Sequence, residues 1–247
     1  RIADNEKRGF SQQWQQTAIS DTEAPSRCGV ILPAMVSVIF DCDGVLVDSE
    51  KLSCGAWLPV LHRGGIEAEL ADVEAFIGRS EEAVLDHFQE KAGKTLGGDP
   101  ITEKEEEYFR CAQGSLERFP GLMAVLQLLR DEGTPVAVAS SGRPDKIRFS
   151  LERTGLTPFF PIICSATEVK RGKPYPDLFL LAAERLATSP SDCCVIEDSV
   201  PGVQAAVAAG MPVIGFTSSH DASTLLQVGA QRTFDHYREL PELLRSV

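Results

Sequence analysis

Two aspartates, Asp41 and Asp43, close an apolar run in the stretch VIFDCDGVLVDSE, residues 38 to 50. An apolar segment of this kind reads as a buried strand, and carboxylates at its end need a cation or hydrogen-bond donors nearby. Three further sets of polar groups follow the same logic downstream. Ser140 and Ser141 end the run PVAVASS, Glu197 and Asp198 end CCVIED, and Lys173 sits in the loop RGKPYPD that leads into a helix. Alone, each has an ordinary explanation: a D-x-D by chance, a serine pair as a helix N-cap, a solvated lysine before proline. Together they bring acids, a hydroxyl and a lysine to one edge, because ligands of an open parallel sheet bind beyond the carboxyl ends of its strands.

The elements that must position these groups alternate. The run MVSVIF is a strand, apolar on both faces as in a covered parallel sheet. From Pro120 onward helix and strand alternate: LMAVLQLLRDEG, PVAVASS, DKIRFSLERTG, IICSA, PDLFLLAAERLA, CCVIED, GVQAAVAAG and PVIGFT, with closing helices around Ser223–Val228 and Pro241–Arg245. Gly133, Gly155 and Gly210 stand at expected helix C-caps. The pattern predicts an α/β fold, a doubly wound Rossmann-like parallel sheet with right-handed crossovers. Residues 49–119 break the alternation with helical periodicity and no good strand candidate, including EAFIGRSEEAVLDHFQEKAG and ITEKEEEYFRCAQGSLERF. That stretch is too long for a crossover and predicts an inserted all-helical cap. The expected organisation is a core of 35–48 and 120–247, a cap of 49–119, and an N-terminal extension of 1–34 that is mobile, rich in Gln, Ser and Thr, and without an apolar signal-peptide core.

Composition narrows the function. With 247 residues and 43% hydrophobic side chains the chain can bury a core, and no apolar stretch nears the roughly 20 residues that span a bilayer. A net charge of −12 and a pI of about 4.8 argue against nucleic acid and anionic membranes as partners. An anionic substrate would need local attraction, from a metal ion, a lysine or helix N-termini. The seven cysteines form no CxxC pair and no Cys/His ladder, so neither zinc nor a disulfide framework is indicated, and a cytoplasmic location fits. Cys42, between the two acids, is a candidate for inhibitory oxidation. The four histidines form no cluster and read as surface or loop residues.

The motifs DCDGVLVDSE, VASSG, GKPYPD and VIEDSVPG, in this order, resemble the haloacid dehalogenase-like hydrolase superfamily, over roughly Val36 to Leu244. Within it the chain looks most like the branch with a helical cap after the first strand, which holds sugar-phosphate phosphatases and β-phosphoglucomutase. The resemblance implies an aspartyl-phosphate mechanism. Asp41 would be the nucleophile, Asp43 the general acid and then base, and Ser140 and Lys173 would bind the phosphoryl oxygens. Mg²⁺ would sit on Asp41, Asp198 and the backbone carbonyl of Asp43, with Glu197 direct or one shell out. The substrate is expected to be a small phosphorylated metabolite, a sugar phosphate or phosphorylated sugar acid, touched by Glu50, Ser141 and Gly142, and by Arg79, Ser80 and Arg143 where a second anionic group is present. A monomer is expected, since the cap already covers the site.

Where β-phosphoglucomutase carries a cap histidine and arginine, this chain has Ser53 and Glu81. A mutase must keep water from its aspartyl phosphate, so these changes favour hydrolysis over phosphosugar transfer. Dehalogenases of the superfamily usually lack the second aspartate, so Asp43 counts against that activity. A glycosyltransferase using D-x-D does not account for Lys173 with Glu197-Asp198, and a non-catalytic phosphate-binding protein would not be expected to retain all four of Asp41, Asp43, Lys173 and Asp198.

Overall fold

The structure, a computed structural model, describes residues 37–77 and 81–246. Strand β1 (Ser37–Phe40) leads through a turn to β2 (Val47–Asp48). Four helices follow: α1 (Glu50–Arg63), α2 (Leu70–Glu74), α3 (Glu81–Ala92) and α4 (Pro100–Ser115). Then come β3 (Glu117–Arg118), α5 (Leu122–Asp131), β4 (Val136–Ser140), α6 (Pro144–Arg153), β5 (Ile162–Ser165) and α7 (Asp177–Arg185). The chain closes with β6 (Cys193–Glu197), α8 (Val200–Ala208), β7 (Val213–Phe216), α9 (Ala222–Gln227), β8 (Arg232–Phe234) and α10 (Leu240–Leu244).

Six strands form one parallel sheet in the order β5-β4-β1-β6-β7-β8. The chain winds outward from β1 through β4 and β5, then returns beside β1 with β6 and winds the other way. The order therefore reverses next to β1, where a doubly wound sheet opens a crevice at its carboxyl edge. Strand residues alternate between two apolar layers. Val38, Phe40, Cys194 and Ile196 pack with Leu122, Leu126 and Ile147 on one face, while Ile39, Ala137, Ala139 and Val195 pack with Leu178, Phe179 and Val203 on the other. Both faces being covered explains why these strands read as unbroken apolar runs.

The helices begin and end as their sequences dictate. Asp99 accepts from Thr102 N at 3.2 Å with Pro100 in the first turn of α4, and Ser199 caps α8 through Gly202 N at 3.1 Å. Gly133, Gly155 and Gly210 adopt positive φ where C-caps were expected. Helices α1–α4 enclose an apolar cluster of their own around Trp57, Leu61, Val73 and Phe88. Ala56, Tyr108 and Ala112 from the same helices belong instead to the layer on the sheet.

Three details depart from the sequence reading. The segment 49–119 is not wholly helical: β3 lies inside it and pairs antiparallel with β2, Val47 opposite Arg118, closing the insertion at its base. Strands of two residues are too short to show a period of two. EAFIGRSEEAVLDHFQEKAG is not a single helix, since α2 ends at Glu74 and α3 starts at Glu81. The edge strand β8 was unforeseen because Arg232–Phe234 has one exposed, one intermediate and one buried residue and no apolar run. Among the described residues no helix is long and apolar enough to cross a membrane.

Ile39 is wholly buried in β1 between its neighbours β4 and β6. Ile39→Ala should cost about 2–5 kcal/mol, read as a lower midpoint in chemical denaturation with an unchanged slope.

Candidate active site

The carboxyl ends of β1, β4 and β6 meet the loops before α7 and α9 around a cavity of about 380 Å³. Its walls carry Asp41, Asp43, Glu50, Ser140, Ser141, Lys173, Glu197 and Asp198 from among the expected residues, together with His220. Lys173 is the hub. Its side chain is 5% exposed, and its ammonium donates to Asp41 Oδ1 at 2.5 Å and to Glu197 Oε1 at 2.6 Å. Burial alone would lower the Lys173 pKa, but Asp41 and Glu197 beside it raise it above the ordinary lysine value, so the ammonium stays charged.

Glu197 is saturated. Its other oxygen, Oε2, accepts from the amides of Asp198 and Ser199 at 2.7 Å each and from Ser199 Oγ at 2.9 Å. Gly202 leaves room for it, since a Cβ there would overlap Glu197 Oε1. Asp198 Oδ2 accepts from Ser218 Oγ at 3.2 Å and from Ser219 Oγ, and its backbone carbonyl meets His220 Nδ1 at 3.0 Å. Gly44, at φ +76°, lies against the same carboxylate, and a Cβ at that position would overlap Asp198 Oδ2. Ser218 Oγ also donates to Gly44 O at 2.5 Å, tying the turn after β1 to the loop after β7.

Three buried carboxylates, Asp41, Glu197 and Asp198, thus crowd together with one ammonium, which pairs with the first two. Burial, only partly offset by Lys173 and reinforced by Glu197, pushes Asp41 up to about 7, and burial with Glu197 and Asp41 beside it drives Asp198 well above the carboxylate range. Such an excess of buried negative charge suits a hard cation. Among the described residues no three His, Cys, Asp or Glu side chains form a ready cage, so a cation here would rest on two side chains and other oxygens. Asp41 and Asp198 each keep one oxygen outside the bonds just given, and Glu197, with both oxygens occupied, is placed to orient its neighbours.

Asp43 has a different environment. Ser49 Oγ donates to Oδ1 at 2.6 Å and Lys146 Nζ to Oδ2 at 3.1 Å. Burial would raise its pKa, but Lys146 and the Ser49 hydrogen bond prevail and hold it below the usual value. Glu50, opening α1, is raised by burial and by Asp43. Ser140 Oγ accepts from Gly142 N at 3.0 Å, and the Gly142 carbonyl accepts from Ser165 Oγ, so both backbone groups of Gly142 are engaged locally rather than turned to the cavity. Arg143 also points elsewhere, with its guanidinium 3.4 Å from Glu105 and 3.3 Å from Asp145. Arg79 and Ser80 lie outside the described residues.

Sequence reasoning missed Lys146, Ser218 and Ser219; His220 lies in a loop, as expected of a surface or loop residue, and that loop lines the cavity. Ser218–His220 directly follow the apolar run PVIGFT, a strand end not read for polar groups, and Lys146 lies in the first turn of the helix after Ser140-Ser141. The other histidines stay away from the cavity: His62 meets Ala68 O, His87 packs on Phe76, and His236 is exposed. Cys42 is 1% exposed, and burial with Asp43 and Asp41 beside it keeps it a thiol, which removes the reason to expect oxidation there.

A strand-end nucleophile candidate, a buried lysine and an acid pair on the adjacent strand define a family, and the comparisons agree. The model for the haloacid dehalogenase-like hydrolases matches residues 35–210. The chain belongs to that family and is an enzyme of phosphatase type. It is 35% identical over 192 residues to hexitol phosphatase A of Escherichia coli (strain K12), covering 77% of this chain and 87% of that protein. It is 35% identical over 201 residues to protein SUPPRESSOR OF QUENCHING 1, chloroplastic, of Arabidopsis thaliana, covering 78% of this chain but 19% of that much longer protein. Among solved structures, an HAD family hydrolase from Deinococcus radiodurans R1 with bound phosphate and sodium matches at a TM-score of 0.73 and 31% identity, over 86% of this chain and 96% of that one.

A pH test follows from Asp41. Without metal it keeps its proton up to about 7 in the folded protein, against 3.8 ordinarily. The folded state therefore binds more protons across that window, and this residue's contribution to stability falls as pH rises. Asp41→Asn cannot ionise, so its thermal midpoint in chelator should gain on the parent's between pH 3.8 and about 7. A difference flat across that range would refute the burial argument.

Proposed function

We propose that the chain is a Mg²⁺-dependent phosphatase that hydrolyses a small phosphorylated metabolite, a sugar phosphate in the first instance, through a phosphoryl ester on Asp41. The observation that carries this reading is the buried Lys173 ammonium bridging Asp41 and Glu197 at the carboxyl edge of β1 and β6.

Asp41 attacks phosphorus with the oxygen not committed to Lys173. Rigid placement at a strand end holds that oxygen within reach of a bound phosphoryl group and removes the search for the attack geometry. Lys173 and Ser140 stabilise the equatorial oxygens as charge spreads over them. Asp43 gives a proton to the departing alkoxide and later takes one from the water that cleaves the acyl phosphate. Asp41, Asp198 and the Asp43 carbonyl would hold the metal, which when bound neutralises the repulsion between the carboxylates and an incoming dianion. Glu197, through its bonds to Lys173 and to the Asp198 and Ser199 amides, keeps that set in register.

Helices α1–α4 act as the cap, closing over the cavity to exclude water and select the leaving group. The two positions where a mutase would place its cap histidine and arginine are joined within the insertion. Lys104 Nζ donates to Ser53 Oγ at 2.7 Å and to Glu81 Oε1 at 2.5 Å, and Trp57 Nε1 donates to Glu81 Oε2 at 2.9 Å. Ser53 and Glu81 so engaged support hydrolysis over sugar transfer. Hexitol phosphatase A, similar over most of its length, supports a sugar or polyol phosphate as substrate.

Asp41→Asn should abolish Mg²⁺-dependent release of phosphate from p-nitrophenyl phosphate with the fold intact by circular dichroism. Fluoroberyllate should form its adduct on Asp41 in the parent and none in that variant. An adduct on another residue, or turnover indifferent to EDTA, would sink the assignment. Lys173→Ala should lower kcat/KM by at least about 10²-fold, since one preorganised charge contact is worth that much in related chemistry.

A further inference from the structure

Asp43 stands apart from the other acids of the cavity. Asp41 and Glu197 share Lys173, and Asp198 is held by Ser218 and Ser219, whereas Asp43 is anchored by Ser49 and Lys146 alone among the described side chains. Lys146 belongs to α6 in the sheet layer and its side chain is 17% exposed. Its ammonium lies 4.7 Å from the centroid of the Tyr108 ring, which is 1% exposed and comes from α4 of the insertion. A cation set between an aromatic face and a carboxylate has lost the freedom of an ordinary surface lysine, so the contact differs in kind from an exposed ion pair.

The position of that ammonium matters for direction. Asp43 lines the Asp41 cavity, while Lys146 lines a second cavity of about 210 Å³ with Glu81, Lys104, Tyr108 and Arg143. The Asp43–Lys146 contact thus joins the two spaces. In phosphoryl transfer the attacking and leaving oxygens lie roughly in line on opposite sides of phosphorus. An acid serving the leaving oxygen must therefore face away from Asp41, although it is only two residues distant on the same strand end.

We propose that Lys146 is a positioning residue for Asp43, holding Oδ2 so that the carboxyl faces the departing oxygen rather than Asp41. The proposal rests on the roles assigned above to Asp41 and Asp43. Ser49 carries a hydroxyl that can accept as well as donate, so Oδ1 is the oxygen that carries the transferable proton while Lys146 keeps Oδ2. In the first step the Asp41–phosphorus bond forms, the bond from phosphorus to the leaving oxygen breaks, and the Asp43 Oδ1 proton passes to that oxygen. In the second, Asp43 recovers a proton from water as the water oxygen bonds to phosphorus and Asp41 departs as carboxylate. Lys146 gives up no proton in either step.

The test uses two leaving groups on the full chain with Mg²⁺. p-Nitrophenolate departs without a proton, whereas the alkoxide of 2-glycerophosphate or glucitol 6-phosphate needs one, and the alkyl ester that the parent turns over faster is the probe. The readout is kcat/KM, which covers steps through phosphoryl transfer to Asp41. Lys146→Met should lower the value for the alkyl ester by about 10²-fold and that for p-nitrophenyl phosphate by less than about threefold, the span expected when acid catalysis alone is lost. Lys146→Arg, which keeps a cation, should hold the alkyl value within about tenfold of the parent. The ratio of two rates within one preparation does not depend on the fraction folded, so partial unfolding cannot imitate the contrast. Equal losses on both esters, or no loss on the alkyl ester, would overturn the proposal. Asp43→Asn is the control that separates the two levels. If it shows the contrast and Lys146→Met does not, only the role of Lys146 falls. If Asp43→Asn lacks the contrast, the reading of Asp43 as the acid falls and takes this proposal with it.

Discussion

The active-site edge depends on one buried ammonium. Lys173 is almost without solvent and lies between Asp41 and Glu197. A charge taken out of water is tolerated only when paired and hydrogen-bonded, and removal of one partner leaves the others uncompensated. Here the uncompensated groups would be two carboxylates, Asp41 and Glu197, at the ends of two neighbouring strands. Much of the local construction serves that pairing: β1 lies next to β6, Gly202 leaves space for Glu197, and the Asp198 and Ser199 amides fix the glutamate that faces the lysine. Both oxygens of the glutamate are thereby committed to neighbours, which fits the proposed role of a fixed counter-charge rather than a reacting group.

What could be read from the sequence, and what could not, divides by the range of the interaction. The parallel sheet was visible because burial on both faces leaves apolar runs in β1, β4 and β6 that end abruptly in polar groups. Asp41, Lys173 and Asp198 were visible only as a set: each alone has an ordinary explanation, but their convergence on the carboxyl ends of successive strands does not. Lys146 was not visible, since a lysine in the first turns of an amphipathic helix looks like any solvated one until the fold sets its ammonium between Asp43 and the Tyr108 ring of α4. Ser218 and Ser219 follow the same rule. Serines after a strand read as turn formers until the fold brings Asp198 to them. The β2–β3 pair and β8 failed for a simpler reason: two or three residues do not display a period.

The insertion illustrates how a charge can mislead when its partner is distant in sequence. Arg143, just past Ser140-Ser141, has the placement of an anion binder, yet its guanidinium lies beside Glu105 of α4 and its own helix neighbour Asp145. Lys104 is 4% exposed in a helix that is otherwise rich in glutamate, and it is matched by Glu81 across the insertion. Both cations act within the protein, one between core and insertion and one inside the insertion. Side-chain charge near a site is thus a poor guide to substrate charge until its partners are known.

The two strand-end acids show how environment separates identical groups. Burial and the neighbouring Glu197 push Asp41 up to about 7, while Lys146 and Ser49 hold the half-buried Asp43 below the ordinary range. The mechanism proposed above needs the reverse, an ionised Asp41 and a protonated Asp43. The chain alone therefore favours the wrong proton on each, and the correction must come from the charges that arrive with the substrate. A cation beside Asp41 and Asp198 favours their ionised forms, and a phosphate dianion near Asp43 favours its protonated one. On that proposal neither change is made by the protein in isolation, and the site is set for chemistry only when both charges are present. On this view Lys146 keeps Asp43 aimed while its proton is gained and given up, and orientation and protonation are controlled by different groups.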